Sequence, residues 1–427
     1  MDVLQTPENV RRNHVANNGV HVGVGRSAGG CVAPERHIHR RLGHSPCVLR
    51  SQGRKPDDEY VRGSDELTDS ATAHGNSTSA GPTLDEPNTT ERGSTLNSDQ
   101  LTVTVTDGFV PVIDLSSRDS ARGRAAIAEA IGNALRGSGF FIIVGHGVSA
   151  DLVDRMFTAT NSFFKLPDGE KDVVASRPGV SGYRRAGGTL ARSLDQKTPP
   201  DLCETYAAHV TGEMSDVERS TLGNEWASWT HKNIWPKDPA DFKDAWQEYM
   251  AAMGELAADL MRLFALALGL DEGFFEDKFD HHGSSVAVNY YPPQTEPPLP
   301  GQLRRGPHTD FGSLTILYQE DERSGLQVLR GEDEWRDVAA IPGSFVVNIG
   351  DLMALWTGGR WVSTMHRVAN PQSGDTSSRL TIPFFYLPNH DASIEPMRPF
   401  TDSSAVERFD TVTVSEWVSR KVQKIFS

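Results

Sequence analysis

The chain has 427 residues and a formal net charge of −15, and only one of its 34 aromatic residues, Tyr60, lies in the first 100 positions. This acidic balance argues against nucleic acids and anionic membranes as partners, because binding phosphates requires a basic face. With three cysteines and no apolar run long enough for a membrane span or a secretory signal, we expect a cytoplasmic protein without a disulfide framework.

Residues 1–106 differ in composition from the rest of the chain. They are rich in Gly, Ser, Thr, Asn, Arg and Asp and show no sustained helix or strand periodicity. A segment without large apolar side chains cannot offset the entropy of ordering its backbone, so we expect a disordered extension. The alternative is a start of translation that has been placed too early.

Helices and one strand are predicted for residues 107–238. Ile127, Ile131 and Leu135 lie four residues apart, which predicts a helix over residues 120–136. Residues 140–144 are predicted to form a buried strand, because the run is short, β-branched and flanked by glycines. A second helix is predicted over residues 150–164.

The clearest predicted helix covers residues 239–268 and opens the second region, residues 239–427. Asp238 is the expected N-cap and Pro239 the expected first helical residue. Apolar residues recur along this segment at alternating steps of four and three, which predicts a long support helix packed on a core. They are Phe242, Trp246, Tyr249, Met253, Leu256, Leu260 and Leu263.

After Gly269 the pattern changes to short β-type runs separated by Gly and Pro. The runs are residues 286–291, 314–319, 325–329, 344–349 and 380–386. Runs of this kind favour an antiparallel sandwich or barrel.

The β region contains a His-x-Asp pair, His308 and Asp310. In a strand, residues i and i+2 project to the same side, so the imidazole and the carboxylate would point to one place. A third ligand is expected from His366, which follows a strand-like segment and precedes a turn signal. Two histidines and one carboxylate form the metal site of non-haem Fe(II) oxygenases, which leaves coordination positions open for substrate and O2.

A His-x-Asp pair alone is not specific, since about one is expected by chance in a chain of this composition. The segment Arg379-Leu380-Thr381 strengthens the hypothesis. A guanidinium is a two-pronged donor for a carboxylate, and the Thr381 hydroxyl would lie on the same strand face as Arg379. The two side chains predict a carboxylate anchor near the metal.

Six segments, read in chain order, carry a resemblance to a known family. They are NYYPP from Asn289, HTDFGSLT from His308, GLQV from Gly325, NIGD from Asn348, MHRV around His366 and RLT from Arg379. Together they resemble the iron- and 2-oxoglutarate-dependent dioxygenases, in the branch that includes isopenicillin N synthase and the plant flavonoid and hormone oxygenases. The resemblance covers residues 109–421.

The resemblance implies a mainly β core, a double-stranded β-helix or jelly-roll, with flanking α-helices that include the long support helix. Residues 107–238 would be the helical N-terminal region of the oxygenase, and residues 239–427 would hold the support helix and the jelly-roll. The implied cofactors are Fe(II), 2-oxoglutarate as cosubstrate, and O2.

The resemblance also implies roles for seven residues. His308, Asp310 and His366 would bind Fe(II), with no catalytic residue beyond these ligands. Arg379 and Thr381 would hold the distal carboxylate of 2-oxoglutarate. Asn289 and Tyr291 would contact the cosubstrate or the metal-bound water, and the alternative for these two is an ordinary pair of strand residues.

The sequence departs from the family pattern in two places. Thr381 stands where Ser is usual, which keeps the hydroxyl group and adds a methyl group. The segment between His366 and Arg379 is also a few residues longer than usual. We expect a hairpin to absorb this insertion at its tip, since added loop length costs little.

The implied activity is the oxidation of a small-molecule metabolite with release of succinate and CO2. Hydroxylation is the expected outcome, and desaturation or ring closure are its alternatives. Two other functions remain open: an oxidase like isopenicillin N synthase that uses no 2-oxoglutarate, and an inactive jelly-roll binding protein. We expect a monomer in which residues 178–189 and 389–426 help to build the substrate pocket.

Overall fold

The structure is a computed structural model that describes residues 109–187, 199–221, 231–321, 323, 325–397, 400 and 411–426. The predictions for residues 1–106 lie outside the described residues. Helices in the described part are α1 (Ala121–Gly137), α2 (Ala150–Phe164), α3 (Asp168–Lys171), α4 (Asp216–Thr221), α5 (Phe242–Ala267), α6 (Asp351–Trp356) and α7 (Val414–Phe426). None of them is long and apolar enough to cross a membrane.

The strands fall into an N-terminal group and a C-terminal group. The first group is β1 (Val112–Asp114), β2 (Phe140–Val144), β3 (Val180–Ser181), β4 (Tyr183–Arg184), β5 (Glu204–His209) and β6 (Lys232–Asn233). The second is β7 (Ser285–Tyr291), β8 (Arg305–His308), β9 (Leu314–Gln319), β10 (Leu326–Arg330), β11 (Glu334–Asp337), β12 (Phe345–Ile349), β13 (His366–Val368), β14 (Arg379–Tyr386), β15 (Ser393–Ile394) and β16 (Val412–Thr413).

Two sheets form the core of the protein. The larger has eight strands in the order β1-β2-β12-β9-β14-β7-β5-β4, and the smaller has four in the order β11-β10-β13-β8. From β7 to β14 the chain passes repeatedly from one sheet to the other, and all strand pairs among these eight strands are antiparallel. This topology confirms the predicted jelly-roll.

Three helices, α1, α2 and α5, form a layer on one face of the larger sheet. Ile127, Ile131 and Leu135 of α1 are fully buried, and the side chain of Ser120 caps the helix by accepting a hydrogen bond from the Gly123 amide at 3.0 Å. All seven residues of the predicted apolar stripe on α5 are at most 5% exposed and belong to the main apolar cluster. This layer confirms the predicted support helix.

The predicted start of the support helix was wrong. Helix α5 begins at Phe242, and its N-cap is Asp241 rather than Asp238. The cause is local, because the Phe242 amide donates to the carbonyl of Pro239 at 3.1 Å in a turn that precedes the helix. Pro239 therefore belongs to the turn.

Two predictions near the candidate site were also wrong. His366 opens β13 instead of following a strand, since the residues before it are irregular. The segment between His366 and Arg379 is not the tip of a hairpin, because β13 lies in the smaller sheet and β14 in the larger one. The longer loop therefore crosses from sheet to sheet.

Candidate active site

Three potential metal ligands converge in the cavity between the two sheets. His308 ends β8, His366 opens β13, and the two histidines are paired across these strands. Asp310 lies in the loop two residues beyond the end of β8. One ligand atom from each residue lies within 4.8 Å of the other two. The structure thus brings together the three residues that the sequence predicted.

Backbone carbonyls fix the orientation of both histidine rings. Nδ1 of His308 lies 2.8 Å from the carbonyl oxygen of Gly306, and Nδ1 of His366 lies 3.1 Å from that of Thr364. A carbonyl oxygen can only accept, so Nδ1 carries the hydrogen in each ring and Nε2 keeps its lone pair. Such outer contacts set the tautomer of metal-binding histidines in known sites.

Asp310 is held by two side chains from neighbouring strands of the larger sheet. Its Oδ2 accepts hydrogen bonds from Thr315 Oγ1 at 2.6 Å and from Asn348 Nδ2 at 2.8 Å. Its Oδ1 lies 3.7 Å from Nε2 of His366. Burial raises the pKa of the Asp310 carboxyl, but the two histidines and these hydrogen bonds outweigh burial and hold the pKa below its usual value. The carboxyl group is therefore anionic, as a metal ligand would need to be.

The backbone around Asp310 is fixed by a close approach of the chain at Gly350. A Cβ atom at Gly350 would lie 2.5 Å from the Gly312 carbonyl oxygen and 2.8 Å from that of Asp310, so only glycine fits. The next amide, from Asp351, donates to the Asp310 carbonyl at 2.8 Å. The Asp351 carboxylate accepts from Thr309 Oγ1 at 3.2 Å, so Asp351 supports the loop that carries Asp310.

Arg379, the predicted anchor, is buried in the same cavity and is 1% exposed. Its Nε donates to the carbonyl of Arg323 at 3.2 Å, and its Nη2 donates to Gln319 Oε1 at 3.0 Å. Its Nη1 is buried without a hydrogen-bond partner among the described residues, and no carboxylate in this part of the chain forms an ion pair with it. Burial lowers the pKa of Arg379. A bound carboxylate would satisfy both the orphaned nitrogen and the buried charge.

The remaining predicted site residues lie beside Arg379 on β7 and β14. Thr381 pairs with Asn289 and Arg379 pairs with Tyr291 across these strands, and all four line the cavity. Cζ of Arg379 lies 5.4 Å from the centre of the Tyr291 ring. Burial raises the pKa of Tyr291 to about 12, so its phenol is neutral and can donate a hydrogen bond at physiological pH.

Several residues that line the cavity were not predicted from the sequence to have a role in the site. Among them are Thr315 and Asn348, which hold Asp310, and two further arginines, Arg184 and Arg305. Thr315 and Asn348 pair across β9 and β12, so strand parity would have placed them on the same face once the pairing was known. The pairing itself is not visible in one sequence.

The two segments predicted to build the pocket contribute unequally. Arg184, from residues 178–189, lines the cavity, whereas residues 188 and 189 lie outside the described residues. No described residue of the segment 389–426 lines it, and the prediction for residues 398, 399 and 401–410 lies outside the described residues. Several residues from 389–397 instead border a separate cavity of about 850 Å³, which contains none of the potential metal ligands.

The donor set fits iron and 2-oxoglutarate. Two imidazole nitrogens and one carboxylate oxygen are the ligands of non-haem Fe(II) sites with open positions, and the orphaned Nη1 of Arg379 is a donor that a carboxylate would satisfy. A cavity with both features defines the class of iron oxygenases that use an oxo-acid cosubstrate.

Comparisons with known proteins agree with this class. Residues 282–388 match the 2OG-Fe(II) oxygenase superfamily, and residues 110–238 match the N-terminal region described as "non-haem dioxygenase in morphine synthesis". Validamycin A dioxygenase from Streptomyces hygroscopicus subsp. limoneus is 34% identical over 74% of this chain and 86% of that protein. Homoarginine-6-hydroxylase 2-ODD-C23.1 from Arabidopsis thaliana is 32% identical over 67% of this chain and 87% of that protein.

A solved structure supports the same assignment. The crystal structure of a full-length Neurospora crassa protein in complex with alpha-KG has a TM-score of 0.63 and 25% sequence identity, and it covers 74% of this chain and 96% of that one. The chain belongs to the 2OG-Fe(II) oxygenase superfamily. It is an Fe(II)- and 2-oxoglutarate-dependent dioxygenase, and the oxidase and the inactive binding protein are not favoured.

Proposed function

We propose that this enzyme hydroxylates a C–H bond of a small-molecule metabolite. In this proposal His308, Asp310 and His366 hold Fe(II), while Arg379 and Thr381 hold the distal carboxylate of 2-oxoglutarate. The observation that carries the proposal is the buried Arg379 guanidinium, whose Nη1 has no partner among the described residues and which lines the same cavity as the three ligands.

The protein's contribution is to hold the reacting groups in place and to limit the access of water. Thr315 and Asn348 orient the Asp310 carboxylate, and Gln319 orients the guanidinium of Arg379. Phe140 and Leu317 supply apolar wall to the cavity. When bound, Fe(II), 2-oxoglutarate and O2 supply the oxidising chemistry, in which 2-oxoglutarate is converted to succinate and CO2.

The names of the relatives support a small substrate. Validamycin A and homoarginine are the compounds named for the two relatives described above, and hydroxylation is the reaction named for the second. We further propose that the protein is a cytoplasmic monomer without nucleic-acid or membrane partners. Its oxygenase unit would span residues 107–427.

A metabolite screen tests this function. Protein stripped of metal would be given Fe(II), 2-oxoglutarate and air with pools of metabolites, and both succinate and product mass would be measured. We expect succinate release that depends on Fe(II) and on one metabolite, with a product heavier by one oxygen atom. Protein reloaded with Zn(II) is the control. A product lighter by two hydrogens would replace hydroxylation by desaturation, and the absence of 2-oxoglutarate turnover with every pool would contradict the proposal.

A further inference from the structure

Two arginines other than Arg379 line the active-site cavity. Arg184 lies on β4 and Arg305 on β8, which are the outermost strands of the larger and the smaller sheet. The larger and the smaller sheet thus each contribute a guanidinium to the cavity, and the charge of Arg305 is close enough to act on Arg184. The only carboxylate that lines this cavity in the described part of the chain is Asp310, one of the potential metal ligands.

Arg305 faces the cavity because of an irregularity in β8. Arg305 pairs with Val368, and His308 pairs with His366, so the four residues 305–308 of β8 are matched by the three residues 366–368 of β13. A bulge of this kind brings Arg305 and His308 to the same face, although a regular strand would put them on opposite faces. Asp201 lies 3.5 Å from Nη1 of Arg305 behind the cavity wall and offsets part of its charge.

Arg184 stands at the end of a row of cavity-lining residues that crosses the larger sheet. It pairs with Thr205, Thr205 pairs with Asn289, and Asn289 pairs with Thr381. Since neighbouring strands are about 4.8 Å apart, the backbone of Arg184 lies roughly 14 Å from that of Thr381. This separation is too large for Arg184 to share the carboxylate that Thr381 would hold.

Arg184 has no countercharge among the described residues. It forms no ion pair and no side-chain hydrogen bond there, whereas its sequence neighbour Arg185 pairs with Asp168 at 2.9 Å and with Asp172. Much of the Arg184 side chain is exposed to solvent, but partial burial and the nearby charge of Arg305 both lower its pKa. A second anion in the cavity would relieve this repulsion.

The charges of the loaded site leave Arg184 uncompensated and Arg305 only partly offset by Asp201. The positive charges of Fe(II) and Arg379 equal the negative charges of Asp310 and the two carboxylates of 2-oxoglutarate. We infer that the substrate carries an anionic group, a carboxylate or a phosphate, which Arg184 and Arg305 bind together. This inference rests on the proposed function, because it assumes that 2-oxoglutarate occupies Arg379.

Calorimetry on the full chain, loaded with Fe(II) and 2-oxoglutarate under nitrogen, tests the inference. The probes are acids with their neutral partners: benzoate and benzamide, indole-3-acetate and indole-3-acetamide, and phenyl phosphate and phenol. We expect at least one acid to bind about tenfold or more tightly than its neutral partner. The carboxylate and phosphate arms show which anion the site takes.

Variants test whether Arg184 and Arg305 cause the tighter binding of the acid. We expect Arg184→Gln and Arg305→Gln each to weaken acid binding about tenfold or more and to leave binding of the neutral partner unchanged. Arg305→Lys should retain part of the preference for the acid over its neutral partner. Because lysine keeps a positive charge beside Asp201, this variant separates loss of the anion site from the effect of an unpaired Asp201. Arg185→Gln is the matched control and should behave as the unchanged protein.

The outcomes separate this inference from the proposed function. If no acid binds better than its neutral partner while 2-oxoglutarate binds normally, the anion site is wrong and the proposed function stands. If Arg184→Gln or Arg305→Gln weakens the binding of 2-oxoglutarate itself, these arginines belong to the cosubstrate site and the inference is overturned. If the unchanged protein with Fe(II) does not bind 2-oxoglutarate, the proposed function fails.

Discussion

The two faces of the larger sheet are built from the same strands but contact different surroundings. One face packs against α1, α2 and α5, and the other lines the active-site cavity. On β14 the residues Leu380, Ile382 and Phe384 enter the apolar cluster, while Arg379, Thr381, Pro383 and Phe385 line the cavity. On β7 the residues Val286, Val288 and Tyr290 enter the cluster, while Ala287, Asn289 and Tyr291 line the cavity.

Residues that stabilise the fold and residues that line the active-site cavity therefore occupy adjacent positions along the same strand. Side chains of a strand alternate between its faces, so neighbours such as Arg379 and Leu380 face different surroundings. The helical layer makes the sheet rigid by burying its apolar face, and that rigidity fixes the polar groups on the opposite face. Substitutions at adjacent positions should therefore produce different defects, and this expectation can be tested strand by strand.

The largest effect is expected from His308→Ala. Losing one of three ligands should remove Fe(II) binding at micromolar metal and lower 2-oxoglutarate turnover by about 1,000-fold or more. Because His308 is at the cavity and outside the apolar cluster, the thermal midpoint of the metal-free protein should change little. Metal content and succinate release would be measured on the same sample. Unchanged turnover would remove His308 from the ligand set.

Arg379→Gln tests the anchor with a smaller but selective effect. Losing a charged donor to a carboxylate costs about 2–3 kcal/mol, so we expect the KM for 2-oxoglutarate to rise roughly 30- to 150-fold. Fe(II) content should be retained, because Arg379 is not a ligand in this scheme. Steady-state kinetics at varied 2-oxoglutarate would measure the change. A normal KM would show that the carboxylate is held elsewhere in the cavity.

Leu380→Ala is the matched change on the opposite face of β14. Removing a buried leucine side chain typically lowers the free energy of unfolding by about 2–5 kcal/mol. We therefore expect a clear loss of stability in urea or on heating, with the KM for 2-oxoglutarate within about twofold of the original at low temperature. A KM increase as large as that of Arg379→Gln would break the separation between the two faces.

The amino-acid sequence predicted only part of the difference between the two sheet faces, because some of the contacts depend on pairings between distant segments. Local sequence patterns placed β2 and α2 at their observed bounds, and periodicity predicted the buried stripe on α5, since these depend on neighbouring residues of the chain. The strands β8 and β13, which carry His308 and His366, are too short to show a period. Asn348 and Thr315 hold Asp310 through pairings between distant segments, and Arg305 faces the cavity through a bulge, so neither could be read from local sequence.

Thr381→Val should give a modest and specific effect. Valine keeps the shape of threonine and removes only the hydroxyl group, and a lost hydrogen bond of this kind is worth about 1 kcal/mol. We expect the KM for 2-oxoglutarate to rise roughly fivefold. Thr381→Ser introduces the serine that is usual at this position in the family. This variant is the control and should leave the KM for 2-oxoglutarate nearly unchanged. Equal KM values for all three proteins would assign the distal carboxylate to Arg379 alone.

The smallest effect is expected from deleting residues 1–100. Every described residue of both sheet faces lies at or beyond position 109, so the deletion keeps the apolar cluster, the candidate ligands and the candidate anchor in the chain. The removed segment contains one aromatic residue and too little apolar surface to contribute a core of its own. We expect turnover within about twofold and a thermal midpoint within about 2 °C of the full chain, because changes outside packed regions are near neutral. Loss of folding or of turnover would show that residues before the first strand support one of the two faces, and comparing the KM for 2-oxoglutarate with the thermal midpoint would identify which one.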